Sequence, residues 1–282
     1  MTTRLFPPLD DPVLPGTRDA LHAYAAVLGK WLTTSRSPRK HWWQGSLLPS
    51  VGGLTTGVLY GVIDYEIELD LLLGRLRVRT SEGAELVEPL RGQAAAELAR
   101  GISSFLTSNG IDEQHTPSDD AYADTQSHTG TYSAACARTV ARAWSSIAST
   151  LEELRAGIRE ETSAIHLWPH HFDLSMVWLP GDKLPGQDPL SLEAAETADK
   201  QMNFGFTLGD NTIAEPYFYV TAYPPPDAPP ALPLPEGAVW QTEGFTGVTL
   251  RYRRLMTTAD PRRFLLDLWR DLLSAGRGHL QA

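Results

Sequence analysis

The stretch that most limits how this chain can fold is VIDYEIELDLLLGRLRVRT, residues 62–80. Ile63, Tyr65, Ile67, Leu69 and Leu71 alternate with Asp64, Glu66, Glu68 and Asp70. Beyond a turn near Leu73-Gly74, Leu76 and Val78 alternate with Arg75, Arg77 and Arg79. A period of two is the signature of a strand, so the segment predicts an antiparallel hairpin. A turn at Leu72-Leu73 or Leu73-Gly74 puts the acidic row opposite the arginine row on one sheet face. The spaced carboxylates therefore read as half of a solvent-facing charge ladder, not as a cation site. Each exposed pair contributes only ~0.2–1 kcal/mol, yet the ladder fixes the register.

Helical periodicity marks four other segments. Thr17 is placed to cap a helix over about 18–34, in which Leu21, Tyr24, Leu28 and Trp31 recur on one side. RGQAAAELARGISSFLTSNGI predicts a second helix ending at Asn109-Gly110, and a third runs from about 132 to 160. Asp260-Pro261 opens a closing amphipathic helix, with Asp260 as N-cap and Pro261 in the first turn. Between these, HLWPHHFDLSMVW, NFGFTL, EPYFYVTAY and VWQTEGFTGVTLRY carry strand composition, as do the two halves of HWWQGSLLPSVGGLTTG. The polar stretch 112–131 predicts a long loop, 224–237 a proline-rich surface connection, and 1–16 an extended leader. Strands that follow one another without intervening helices imply an α+β fold: a mainly antiparallel sheet with helices grouped beside it, in one domain over 1–282. The order of elements hints at two similar α-β-α halves, although the halves share no residue pattern.

A net charge of -10 argues against nucleic acid and anionic membranes as partners, because their phosphates call for a basic surface. The N-terminus lacks the basic flank and apolar run of a secretion signal, which predicts a cytoplasmic protein. Cys136 is the only cysteine and sits among small apolar residues, so it reads as a buried, inert thiol. No phosphate-binding loop, G-x-S-x-G or H-E-x-x-H is present, and no cofactor is implied.

Taken together, HWW at 41–43, GLTT at 53–56, YEIELD at 65–70, LWPHHFDL at 167–174 and EPYFYV at 215–220 resemble an uncharacterised bacterial family catalogued only as a domain of unknown function. The likeness spans most of the chain. It implies a single full-length domain and supplies neither reaction nor cofactor.

The residues themselves offer candidates. If 165–178 is one strand, His166 and His170 are separated by four residues, on the order of 13 Å, too far to share a metal ion. His171 and Asp173 would lie two apart on one face, close enough for the carboxylate to orient the imidazole as a general acid or base. A structural histidine would use the same pairing. KHWWQ, read as a strand, puts His41 and Trp43 on one side; Glu243 precedes Gly244; and EPYFYVTAY lines up Tyr217 and Tyr219 as an aromatic wall. The sequence thus supports an aromatic-lined pocket for a small polar or aromatic molecule. Its catalytic candidates are His171 and Asp173, its ligand contacts His41, Trp43, Glu243, Tyr217 and Tyr219, and no metal is expected. The alternative is a non-catalytic binding or interaction module in which the histidines are structural.

Overall fold

The computed structural model describes residues 5–111, 131–185, 195–229 and 232–281. The loop expected over 112–131 lies almost wholly outside them. The fold is α+β, as expected, and its sheets are antiparallel throughout. The chain divides into two compact units: an N-terminal one of Asp10–Ser145 with Leu167–Phe172, and a C-terminal one of Met1–Leu9, Ser146–His166 and Asp173–Ala282.

The N-terminal unit contains α1 (Leu14–Ser35), a five-stranded meander and α2 (Ala95–Ser108). The meander runs β1 (Leu48–Pro49), β2 (Gly53–Thr55), β3 (Tyr65–Asp70), β4 (Arg75–Thr80) and β5 (Glu85–Pro89). The expected hairpin is β3–β4, with Glu66 opposite Arg79, Glu68 opposite Arg77 and Asp70 opposite Arg75. The ladder is less open to solvent than its composition suggests. Asp70 is buried and pairs with Arg75 at 3.1 Å, Glu66 pairs with Arg79 at 2.7 Å, and Thr55 and Ser50 donate to Glu66 and Glu68. Arg77 turns instead to Glu85 of β5.

Thr17 does not cap α1, which begins three residues earlier with Pro15 in its first turn. Its hydroxyl accepts from the Ser133 backbone N–H at 3.1 Å, at the start of α3 (Ala134–Ala156), a helix that continues from this unit into the other. Such a long-range cap leaves no local sequence signal. Cys136, in the first turns of α3, is buried, and that burial pushes its thiol pKa upward.

The C-terminal unit carries the second sheet. After β6 (Glu161–Thr162), β7 (His166–Trp168) straddles the unit boundary; β8 (Asp173–Leu179), the short α4 (Ala195–Ala198), β9 (Gln201–Thr207), β10 (Tyr217–Tyr223), β11 (Ala238–Gln241) and β12 (Gly247–Arg251) follow. The strand order β11-β12-β10-β9-β8-β6 differs from the sequential meander of the first sheet. Registers such as Phe218 with Phe206 and Leu250 gather the large apolar side chains on one face. That face receives α5 (Pro261–Leu280), whose buried stripe includes Leu265, Leu268, Trp269, Leu272 and Leu273. Asp260 caps α5 as expected, accepting from the Arg263 N–H at 3.0 Å. Among the described residues, no helix is long and apolar enough to cross a membrane.

Candidate functional site

The histidine-rich segment is not one strand. β7 ends at Trp168, Pro169–Phe172 form a turn closed by Phe172 N–H to Trp168 O at 2.7 Å, and β8 begins at Asp173. Phe172 takes a left-handed φ of 55°, which non-glycine residues seldom adopt. Packing holds it there. Phe172 is buried, stacked on His22 of α1 at 5.0 Å and edge-on to Trp144 at 5.5 Å. Pro169 fits over Gly29 of α1, where an added Cβ would lie 2.6 Å from the proline ring, and the Pro169 carbonyl bonds His22 Nε2 at 2.9 Å.

This turn removes the premise that paired His171 with Asp173. His171 is an exposed turn residue whose ring is tilted against that of His170 with centroids 4.2 Å apart, whereas Asp173 starts a strand and accepts a hydrogen bond from Tyr219. No group of three or more histidine, cysteine, aspartate or glutamate side chains is placed to hold a metal among the described residues.

Desolvation pushes the His170 imidazole down to about 4, helped by the neighbouring His171 and His22, and burial lowers His22 as well. A histidine depressed in the folded state contributes stability that is complete above the unfolded value of 6.5 and declines as pH falls toward about 4. Urea unfolding across that window should show stability falling with acidification, with a shallower slope in His170→Gln. An unchanged slope would show that this imidazole is not coupled to folding.

KHWWQ is likewise not a strand. It forms a tight helical segment, Lys40–Gly45, in which His41 and Trp42 both adopt left-handed φ values of 54° and 56°. His41 is buried and stacks on Trp43 at 5.7 Å, and Lys40 lies over the same indole at 5.1 Å. The reciprocal backbone bonds of Leu47 with Leu167 bring this segment beside the histidine turn in the N-terminal unit.

Tyr217 and Tyr219 occupy the sheet face opposite α5. The Tyr219 hydroxyl donates to Asp173, and Tyr217 donates to Asp210 at 2.5 Å. Burial raises both phenols, with the adjacent carboxylates adding to the effect. The rings meet Phe245 at 6.4 and 6.3 Å, and Arg251 lies over Tyr217 at 6.0 Å. These contacts form an aromatic and polar network on this face of the sheet. Glu243 is exposed on the β11–β12 connection, where its carbonyl accepts from Gln241 at 2.5 Å.

A cavity of about 810 Å³ lies elsewhere in the C-terminal unit. Its floor is the α5 side of the sheet, with Met202, Val220, Ala222 and Val248, and Trp240 at the β11 edge. One wall is the second half of α5, with Asp271, Leu272, Ser274, Ala275, Gly276 and His279. The proline-rich connection supplies the other through Pro226, Asp227, Ala228, Pro229, Leu232 and Pro233. Two of the lining glycines admit close neighbours: an added Cβ would overlap the Val220 carbonyl oxygen at Gly247, and Met202 Sδ at Gly276. His279 Nε2 donates to the Pro224 carbonyl at 3.1 Å, tying the helix end to the start of the connection. None of the seven residues singled out from the sequence lines this cavity. Asp271, Ala275 and His279 do share one helical stripe, a pattern that an amphipathic reading assigns to solvent.

A family model described as a family of unknown function, DUF5996, matches residues 6–279, so the chain belongs to that family. No curated protein and no solved structure matches the chain.

Proposed function

We propose that this member of the DUF5996 family binds a small, largely apolar molecule in the cavity between the second sheet, α5 and the proline-rich connection. The cavity itself carries the reading: about 810 Å³ falls within the ~300–1,000 Å³ common for small-ligand sites, and hydrocarbon walls with a few polar groups are their usual make-up. Prolines suit such a wall, since their restricted backbone loses little entropy when a ligand settles against it. The acid–base role of His171 with Asp173 rested on a shared strand face, so the proposal assigns no reaction.

A thermal-shift screen tests this reading. A ligand at a hundred times its Kd adds about 2.7 kcal/mol, roughly 5–10 °C in a chain of this size. Hits should vanish in Ala275→Trp, which fills the cavity from α5, and persist in His171→Ala. Hits that survive Ala275→Trp but disappear in His171→Ala would move the site to the histidine turn and reject the cavity.

A further inference from the structure

We infer that the cavity selects a positively charged ligand, an amine joined to an apolar body; this rests on the binding function proposed above. The ionisable side chains lining the cavity are Asp227, Asp271 and His279, with no lysine or arginine among them. The residues of the connection outside the described set, 230 and 231, are proline and alanine and add no charge. Both carboxylates are exposed at the cavity, and among the described residues neither is neutralised by an ion pair, unlike Glu153, Glu215 and Asp267, which meet arginines. The two cavity carboxylates come from different parts of the lining, Asp227 from the proline-rich connection and Asp271 from α5.

The neutral groups agree in character. Since the Pro224 carbonyl can only accept, His279 donates to it through Nε2–H and leaves Nδ1 on the other side of the ring. Trp240 contributes an indole, the side chain whose face attracts cations most strongly. Met202, Val220 and Leu232 supply hydrocarbon for the body of the molecule. An anionic ligand would meet two carboxylates without a compensating cation. A neutral one would leave them as they are.

Three nearly isosteric probes separate these cases: 4-phenylbutylamine, 4-phenylbutan-1-ol and 4-phenylbutyrate, each titrated calorimetrically into the full chain at low and high salt. The amine should bind at least tenfold more tightly than the alcohol, with the advantage shrinking in salt, and the carboxylate should bind most weakly. In the Asp227→Asn/Asp271→Asn variant the amine should fall to the level of the alcohol while alcohol binding stays unchanged. Ala275→Trp should lose all three; should that variant melt well below wild type, Trp240→Ala replaces it and should weaken the amine most. Amine and alcohol binding alike in the wild type, or an amine preference that survives the double asparagine variant, would overturn the charge inference and leave the cavity standing. Failure of all three to bind the wild type at millimolar concentration would overturn both.

Discussion

Trp269→Ala is expected to lower unfolding stability by about 3 kcal/mol, near the low end of the ~3–5 kcal/mol usual for such truncations. Trp269 is fully buried on α5 and meets Phe218 of β10 edge-to-face, with ring centroids 6.0 Å apart. Its removal deletes the largest side chain of the helix stripe and leaves a void over the sheet. The indole N–H, however, is buried without an acceptor, and an orphan donor of this kind costs roughly 1–3 kcal/mol in the native state. Alanine relieves that cost, which is why the loss should fall at the low end. Trp269→Phe keeps an aromatic edge against Phe218 and drops the orphan donor, so it should cost less than about 1.5 kcal/mol. Chemical denaturation of both variants checks this: a loss in Trp269→Phe as large as in Trp269→Ala would show that the phenyl ring regains none of the packing against Phe218. Because α5 also presents Asp271, Ala275 and His279 to the cavity, Trp269→Ala should weaken ligand binding more than Trp269→Phe.

What could be read from the sequence follows the range of the forces involved. The β3–β4 register was legible because alternation and opposite charge agree over six consecutive pairs. Asp260 at the head of α5 was legible because a capping side chain bonds within three residues of itself. The proline-rich connection was recognisable too, since proline composition excludes helix by local sterics, but composition gives no hint that the connection walls a cavity. The failures came where tertiary packing overrides local preference. Phe172, His41 and Trp42 occupy left-handed conformations that their residue types disfavour, and each broke a strand that alternation had extended. At Phe172 the override has named causes: His22 and Trp144 clamp the ring, and Gly29 makes room for Pro169, none of them nearby in sequence. The strand-face pairing of His171 with Asp173 was lost with the same turn. The cavity was hidden because its lining comes from β9, β10, β11, β12, α5 and the proline-rich connection at once, with small residues such as Ala222 and Ala275 that carry no pattern of their own. A sequence shows what a side chain brings more readily than what its absence permits.

Gly205 is the sharpest instance of such an absence, and Gly205→Ala should cost about 2–6 kcal/mol, combining overpacking of roughly 1–3 with a lost buried hydrogen bond of similar size. Gly205 stands directly opposite Tyr219 in the β9–β10 register, and the tyrosine ring lies across its backbone, where an added Cβ would overlap the ring atoms Cζ and Cε1 and the hydroxyl. The ring cannot tilt freely, because its hydroxyl donates to Asp173 on the next strand. A methyl group at 205 therefore has to break that bond or push β9 and β10 apart. Tyr219→Phe removes only the hydroxyl and should cost about 1–3 kcal/mol. The decisive measurement is the double variant. With Tyr219 already alanine the space above residue 205 is vacant, so adding Gly205→Ala should cost little further, a coupling of at least 1 kcal/mol on the ~0.5–3 kcal/mol scale typical of residues in contact. Additive losses would mean that Gly205 is required for its backbone alone. Strong coupling would instead identify the polar face of this sheet as an interlocked scaffold in which glycine, tyrosine and aspartate hold β8, β9 and β10 in register. That scaffold holds in place the three strands whose other face carries α5, and with it the floor on which the cavity is built.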